Sequence, residues 1–265
     1  MKKIIILGSS GAIGSYLTKT LNKDFHIIAT VRKLSDLTVF DNQKNISPFK
    51  VDFSEKNDIK IFLKELKNEK DIYGLINCYG IQNPIGKFKD IDFSTWEDNL
   101  KLNFLNFSFF VHKLLPIAHD VKKIIAFSGG GATFGRENFS AYAIAKIALY
   151  KYIEILSIEL EKDKIDLNLI APGAIKSNMT EQIVECGSSL GKEYESASDI
   201  INSGGEDKEK ILHILIVIFF GCLFYVPSWL QNQFSLSFIY SEQASFKTNS
   251  ISCSICCEKS GKKKG

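Results

Sequence analysis

The chain has 265 residues, of which 45% are hydrophobic, so it is long and apolar enough to bury the core of one domain. Its 33 basic and 30 acidic residues leave a net charge of +3 and are spread along the chain, which argues against a nucleic-acid-binding surface. Only Cys78 and Cys186 lie within the first 210 residues, and the four histidines are scattered, so we predict neither disulfides nor a metal site. This cysteine usage favours a reducing, cytoplasmic compartment.

The N-terminus has the pattern of a buried strand, a glycine-rich turn and a helix. Residues 3–7 are mostly apolar and β-branched, a run too short for a signal peptide, and residues 15–21 have helical spacing. Glycines between such elements allow backbone N–H groups to approach a pyrophosphate at the positive end of the helix. A tight turn without a ligand is the alternative. We assign a dinucleotide to the turn residues Gly8, Ser10, Gly11, Ile13 and Gly14.

The next two predicted strands, residues 26–31 and 47–51, end beside charged side chains. Arg32 stands where a site that prefers NAD usually has an acidic residue for the ribose 2′-hydroxyl. It is therefore a candidate ligand of the 2′-phosphate of NADP, and a solvated loop charge is the alternative. Asp52 follows the third strand, where its carboxylate could accept from the adenine amine or help to cap the next helix.

Three further strands, predicted over residues 72–76, 121–127 and 165–170, alternate with helices. This alternation predicts a doubly wound parallel sheet in an α/β fold. Ligands bind such sheets at the carboxyl ends of the strands, which in this sequence carry glycine, proline or small polar residues. The candidates at these strand ends are Asn77, Gly80, Ser128, Pro172 and Gly173.

Two predicted helices add polar side chains to this edge of the sheet. One helix begins at a capping box near Ser94 and carries Asn103 among core residues, where a buried amide must find hydrogen-bond partners. The other, near residues 139–162, carries Tyr142 and Lys146 one turn apart. A neighbouring ammonium lowers a phenol pKa from about 10 and makes the tyrosine a usable proton donor. Ordinary helix packing is the alternative.

In combination these residues resemble the short-chain dehydrogenase/reductase family over residues 1 to about 210. The resemblance implies an NAD(P)-binding Rossmann fold with an NADP(H) cofactor. Leu7 and Ala12 depart from the family's first turn, and the interval from Ser128 to Tyr142 is one residue longer than expected. The residues that carry the resemblance are Gly8, Gly11, Gly14, Asp52, Asn77, Gly80, Asn103, Ser128, Tyr142, Lys146, Pro172 and Gly173.

The resemblance also implies roles for individual residues. Tyr142 would be the acid/base for the substrate oxygen, and Ser128 would hydrogen-bond that oxygen. Lys146 would lower the tyrosine pKa and hold the nicotinamide ribose, while Asn103 would orient a water that relays protons. Two residues after the sixth strand, Ile175 and Ser177, would contact the nicotinamide amide and the pyrophosphate.

The expected activity is NADP-dependent interconversion of a small-molecule carbonyl and a secondary alcohol, by a homo-oligomer. A non-catalytic NADP-binding sensor and a membrane-anchored reductase are the alternatives. A substrate lid is expected at about residues 175–210, where acidic residues favour small polar carbonyls or sugars. A solvated helix face would explain the same charges.

Residues 1–216 are assigned to the domain, and residues 217–265 form a divergent tail. Residues 211–230 are mostly apolar and long enough to span a membrane, but His213, Gly221 and Pro227 interrupt them. We therefore do not expect a membrane anchor. The tail is then either a divergent last helix and strand or a non-native C-terminus, such as the product of a frame shift.

Overall fold

A computed structural model describes residues 1–41, 43–129, 132–205, 207–209, 211–212 and 215. The three interpretations of the tail concern residues 217–265 and, for the membrane span, residues 211–230; of these, only residues 211, 212 and 215 are described. The division of the chain at residue 216 therefore stays a prediction. Within the described part, no helix has the length and apolar character needed to cross a membrane.

Six strands of the described residues form one parallel sheet. They are β1 (Lys3–Leu7), β2 (His26–Val31), β3 (Ile46–Lys50), β4 (Ile72–Asn77), β5 (Lys123–Phe127) and β6 (Asp166–Ile170). Their order across the sheet is β3-β2-β1-β4-β5-β6, and every neighbouring pair is parallel. The order reverses between β1 and β4, which makes this the switch point where such sheets bind ligands. The predicted doubly wound α/β sheet is confirmed.

The helices lie between and beyond these strands. They are α1 (Ala12–Leu21), α2 (Lys56–Leu66), α3 (Phe93–Leu100), α4 (Asn106–Leu114), α5 (Ser140–Glu159), α6 (Asn178–Glu185) and α7 (Lys192–Ser203). Short 3-10 helices cover Leu34–Phe40, Phe88–Asp90 and Ser188–Leu190. The helix predicted from residue 94 is interrupted by a π-helical turn over Lys101–Leu105, which links α3 to α4.

Apolar side chains cover both faces of the sheet, because successive residues of a strand point to opposite sides. In β1, Ile5 and Leu7 belong to one core cluster and Ile4 and Ile6 to the other. The first cluster packs under α2, α4 and α5 and contains the fully buried Phe62, Phe107, Phe110 and Leu149. The second packs under α1 and includes Leu17, Leu21, Ile211 and Leu215. Burial on both faces explains why these strands lack polar alternation.

Candidate active site

A cleft of about 1160 Å³ runs along the carboxyl ends of the strands. Its wall contains most of the residues predicted from the sequence, which confirms that one edge of the sheet gathers them. Four predicted residues lie outside the wall and are described separately below. The predicted residues in the wall are Gly8, Ser10, Gly11, Ile13, Arg32, Gly80, Ser128, Tyr142, Lys146, Pro172, Gly173, Ile175 and Ser177.

The turn between β1 and α1 forms one end of the cleft, and its shape requires glycine at two positions. Gly8 has a φ of +78°, and a Cβ there would lie 3.1 Å from the backbone of Tyr79. A Cβ on Gly14 would lie 2.2 Å from the carbonyl oxygen of Gly8, so Gly14 lets α1 approach the turn from behind the wall. Gly8 also donates its N–H to Thr30 Oγ1 at 3.1 Å, which fixes the turn against β2.

This geometry fits the phosphates of a dinucleotide. The N-cap of α1 is Gly11, which makes no side-chain capping hydrogen bond, and Ser10 to Ile13 line the cleft. Backbone N–H groups at the positive end of a helix therefore face a space that no side chain fills. The cradle that the glycines leave open is of the kind that accepts a pyrophosphate.

The charged residues that follow β2 and β3 have different surroundings. Arg32 is exposed on the cleft wall, with Lys33 beside it. Asp52 lies outside the wall, and its Oδ1 accepts hydrogen bonds from the Ser54 N–H at 2.9 Å and from Ser54 Oγ at 2.7 Å. The N-cap of α2 is Glu55, so Asp52 orders the turn that leads to this helix. Of the two roles proposed for Asp52, the local structural one has contacts to support it.

The chain after β4 is held by two asparagine side chains that sit behind the cleft wall. Asn77 Oδ1 accepts the N–H of Tyr79 at 3.1 Å. Asn103, in the π-helical turn, accepts the N–H of Ile81 at 3.0 Å and donates to the Ile81 carbonyl at 2.8 Å. It also donates to Asn99 Oδ1 at 2.8 Å. The buried amide of Asn103 thus has its partners within the protein, and the predicted water relay stays a prediction.

Gly80 is the point at which these elements meet the reactive side chains. A Cβ on Gly80 would lie 3.0 Å from Asn103 Oδ1, 3.4 Å from Met179 Cε and 3.6 Å from Lys146 Nζ. A Cβ at this position would therefore be tight against Asn103 and in ordinary contact with Lys146, so the glycine allows these elements to approach closely. The glycine at the mouth of β4 has a packing reason that the sequence pattern alone did not reveal.

Tyr142 and Lys146 lie on the buried face of α5, with 6% and 4% of their surfaces exposed. Lys146 Nζ donates to the carbonyl of Phe127, the last residue of β5, at 2.9 Å and lies 5.5 Å from the centre of the Tyr142 ring. An ammonium group with so little exposure needs such an acceptor. The four-residue spacing therefore brings both side chains to the cleft beside the end of β5.

Burial shifts the pKa values of both groups away from their charged forms. The pKa of Tyr142 rises to about 12 because the phenolate would be desolvated, and the positive charge of Arg136 partly opposes this rise. Burial lowers the pKa of Lys146 to about 8. The pKa of Tyr142 is thus raised, whereas the helical spacing between Tyr142 and Lys146 led us to expect that the ammonium would lower it. Burial outweighs the neighbouring charge here, and the charge that does oppose it belongs to Arg136.

The hydroxyl of Tyr142 packs against a glycine that the sequence analysis did not single out. A Cβ on Gly129 would lie only 2.1 Å from the Tyr142 hydroxyl oxygen. Ser128 is the residue before it, lines the cleft and donates its backbone N–H to the Ile170 carbonyl at 2.9 Å. The interval from Ser128 to Tyr142 is one residue longer than expected, so Gly129 stands at the expected interval from Tyr142. This was the signal in the sequence that could have pointed to Gly129.

The chain after β6 forms the far wall of the cleft. Gly173 has a φ of +76° and turns the chain toward Ile175, which pairs with Gly205 through an isolated antiparallel bridge. Thr180 Oγ1 donates to the Ile175 carbonyl at 2.9 Å. Ser177 is the N-cap of α6 and makes no side-chain capping bond.

The predicted lid consists of α6 and α7 between Ile175 and Gly205. Among its described acidic residues, Glu193 lines the cleft. The other carboxylates of these two helices face solvent, and they are Glu181, Glu185, Glu195 and Asp199. A solvated helix face therefore explains most of the lid's negative charge. This was the alternative to a role of the acidic residues in substrate selection.

Comparisons with known proteins agree with this geometry. Residues 2–186 match the family model described as short chain dehydrogenase. A 3-amino-tetrahydro-pyrrolizinone reductase of Xenorhabdus hominickii is 24% identical over 217 residues, which cover 79% of this chain and 71% of the relative. Among solved structures, the KRED1-Pglu enzyme has a TM-score of 0.74 at 19% identity and covers 87% of this chain and 98% of its own. ElxO with NADP bound has a TM-score of 0.63 at 21% identity, covering 78% and 92%.

Proposed function

This chain belongs to the short-chain dehydrogenase family of oxidoreductase enzymes, and we propose that it reduces a small-molecule carbonyl with NADPH or oxidises the corresponding secondary alcohol. The observation that carries the proposal is the buried pair Tyr142 and Lys146, which lies beside the end of β5, two strands along the sheet from the glycine turn that follows β1. A phenol, an ammonium and a dinucleotide cradle in one cleft provide the parts that this reaction needs.

The protein's contribution to the reaction is positioning and proton transfer. The nicotinamide, when bound, supplies the hydride that joins the carbonyl carbon. Tyr142, whose pKa is raised to about 12, is neutral at physiological pH and can give its hydroxyl proton to the substrate oxygen during reduction. Lys146, with a pKa lowered to about 8, can then return a proton to the phenolate. In oxidation the same proton moves in the opposite direction.

Two further residues complete the proposed substrate site. Ser128 lines the cleft at the end of β5 and is the proposed hydrogen-bond donor to the substrate oxygen. Gly129 has no side chain, so it leaves space for the Tyr142 hydroxyl beside this donor. Neither residue has to ionise for these roles.

NADP is the proposed cofactor. Arg32 is exposed at the end of β2, and a guanidinium can bind a 2′-phosphate through two parallel hydrogen bonds. ElxO, which has the same fold, carries NADP in its structure. Gly8, Ser10, Gly11, Ile13 and Gly14 would shape the pyrophosphate site, and Pro172, Gly173, Ile175 and Ser177 the nicotinamide side.

The remaining expectations concern the cell and the assembly. Cys78 and Cys186 are both free thiols, which supports a reducing compartment such as the cytoplasm. Exposed apolar side chains on α5, including Ile144, Ile155 and Ile158, provide surface for the homo-oligomer that the family resemblance implies. No observation on the described residues favours the sensor or the membrane-anchored alternative.

A screen of pooled carbonyl compounds, following oxidation of NADPH and NADH, tests this proposal. The wild-type chain should oxidise NADPH with at least one pool. Tyr142→Phe should lose about 1000-fold of that rate, because general acid catalysis contributes on the order of 10²–10⁴-fold. Tyr150→Phe, on the same helix but outside the cleft wall, is the matched control and should retain the wild-type rate. Activity that survives in Tyr142→Phe would contradict the mechanism.

A further inference from the structure

Both arginines of this chain line the cleft, although 33 of its residues are basic. Arg32 belongs to the cofactor end, and Arg136 lies at the other end, in the segment between β5 and α5. Arg136 Nη2 donates to Glu193 Oε2 at 2.6 Å, and its guanidinium carbon lies 3.7 Å over the ring of Phe139. A planar guanidinium can stack on a ring and pair with a carboxylate at the same time, whereas a lysine ammonium is a point charge.

The ion pair joins two parts of the molecule that are distant in sequence. Arg136 precedes α5, and Glu193 lies in the first turn of α7. The side chain of Arg136 is 11% exposed and that of Glu193 is 32% exposed. A pair with this degree of burial is screened less than a surface pair, and loss of one partner leaves an uncompensated charge.

Polar contacts among the described residues hold the lid at its base and on both of its helices. Its base is the bridge between Ile175 and Gly205, next to the C-terminal end of α7. On α6, the Met179 carbonyl accepts a hydrogen bond from Gln82 Nε2 at 3.0 Å. The contact between Arg136 and Glu193 holds the opposite end of α7, roughly 16 Å from the base at 1.5 Å per helical residue.

Among the described residues, a small apolar cluster packs at this end of the lid. Phe139, Ile183 and Ala197 form a core cluster separate from the two that cover the sheet. Phe139 is also the ring on which Arg136 stacks, so the cation and the cluster act at the same place. A cluster of three buried side chains stabilises a helix far less than the main core does. The ion pair therefore contributes a larger share of the stability of this end of α7.

We propose that Arg136 is a positioning residue that, through Glu193, keeps α7 closed over the substrate end of the cleft and so sets the affinity for the carbonyl substrate. The proposal rests on the proposed function, because it assigns a specificity element to that same site. In this proposal Arg136 and Glu193 do not take part in hydride transfer or in the proton transfer by Tyr142 and Lys146. Closure of α7 therefore affects KM and leaves kcat nearly unchanged.

Variants of the full chain test the proposal. Glu193→Gln removes the charge of the acceptor, Arg136→Gln removes the donor cation, and Arg136→Lys retains the charge without the planar fork. Glu195→Gln is the matched control, because Glu195 is exposed on the same helix and outside the cleft wall. Amide hydrogen exchange of residues 192–203 is measured without substrate, and KM and kcat are measured with a carbonyl found in the screen.

Glu193→Gln should speed exchange in residues 192–203 and raise KM about tenfold, equivalent to about 1.4 kcal/mol of binding, with kcat within about twofold. Arg136→Gln should change exchange and KM in the same way and should also lower kcat, because it removes the positive charge that opposes the raised pKa of Tyr142. Arg136→Lys should recover part of the affinity. Added salt should raise the KM of the wild type and leave that of Glu193→Gln unchanged. Glu195→Gln should match the wild type in every measurement.

Three results would overturn the proposal. Exchange and KM in Glu193→Gln that equal those in Glu195→Gln would show that the ion pair does not hold α7. A fall in kcat without a rise in KM would place Arg136 in the chemical step. Equal KM values for Arg136→Lys and Arg136→Gln would rule out a role for the charge. If the wild type reduces no carbonyl, the proposed function fails, while the exchange measurement still decides whether the pair holds α7.

Discussion

The two ends of the cleft are built by different means. The cofactor end comes from a continuous stretch, β1 to the end of β2, and backbone packing defines its shape: Gly14 faces the Gly8 carbonyl directly. The proposed catalytic end collects side chains from the segment after β4, the end of β5, α5 and the lid, and burial defines its chemistry. The first end should therefore be sensitive to any added Cβ, and the second to changes in charge or in single polar atoms.

The largest effect is expected from Gly14→Ala at the cofactor end. Its Cβ would lie 2.2 Å from the Gly8 carbonyl oxygen, a backbone atom that cannot move aside without displacing α1. We expect a loss of about 3 kcal/mol in the free energy of unfolding, at the upper end of the usual cost of overpacking, together with loss of NADPH binding. Urea unfolding and NADPH fluorescence titration measure the two effects.

Gly135→Ala is the control for this substitution, since a Cβ there meets nothing within 4 Å. Wild-type stability and NADPH affinity in Gly14→Ala would mean that the turn is not held by backbone packing. The contrast between the two ends would then lose its structural basis.

At the catalytic end, Gly129→Ala should abolish most of the activity and leave the fold intact. The added Cβ would lie 2.1 Å from the Tyr142 hydroxyl oxygen, so the phenol must move from its position. We expect kcat to fall about 100-fold, since displacement of a catalytic group by about 1 Å can have this effect. NADPH affinity should stay within about twofold of the wild type. A normal kcat would show that the observed position of Tyr142 is not the one used in catalysis.

The pH dependence of stability tests whether burial governs the catalytic end. The folded-state pKa of Lys146 is about 8, below its ordinary value of 10.5, so between these values the unfolded chain binds the proton and the folded chain does not. Stability relative to Lys146→Met should therefore rise with pH through this window, by roughly 2 kcal/mol from pH 7 to pH 10.

Urea unfolding of the cofactor-free wild type and of Lys146→Met at these pH values makes the comparison, because other titrating groups cancel between them. The difference in the free energy of unfolding between the two proteins could instead stay constant or fall as the pH rises. Either result would mean that the lysine is not desolvated in the folded protein.

The smallest effect is expected from Arg32→Gln at the cofactor end, where the side chain is exposed. Loss of the guanidinium should raise the KM for NADPH about tenfold, because a hydrogen bond to a charged group contributes about 1.5–3 kcal/mol. The KM for NADH, which lacks the 2′-phosphate, should not change. Lys60→Gln, an exposed change outside the cleft wall, is the control. Equal effects on both cofactors would remove the proposed role of Arg32.

The same contrast explains how much could be predicted from the sequence. The strand, glycine turn and helix at residues 3–21 obey local rules, so their structure could be predicted from the sequence, and their role in binding a dinucleotide stays a proposal. The location of the strand ends could also be predicted, because alternating strands and helices bring Asn77, Ser128 and Pro172 to one edge of the sheet. Even so, Asn77 and Asn103 proved to hold the chain behind the wall.

Features that depend on contacts between distant segments were not predicted. The role of Gly129 follows from where α5 places the Tyr142 hydroxyl. The direction of the Tyr142 pKa follows from burial, which no local pattern encodes. The pairing of Arg136 with Glu193 spans 57 residues and has no motif. Sequence patterns thus predicted the residues of the site better than their contacts.

The most direct test of the proposed function follows the hydride itself. NADPH deuterated at the transferred position of the nicotinamide is incubated with a carbonyl substrate and the wild-type chain, and the alcohol is analysed by mass spectrometry and NMR. We predict one deuterium on the carbinol carbon with the wild type and with Tyr150→Phe, and about 1000-fold slower labelling with Tyr142→Phe. An alcohol without deuterium, or labelling by Tyr142→Phe at the wild-type rate, would contradict it.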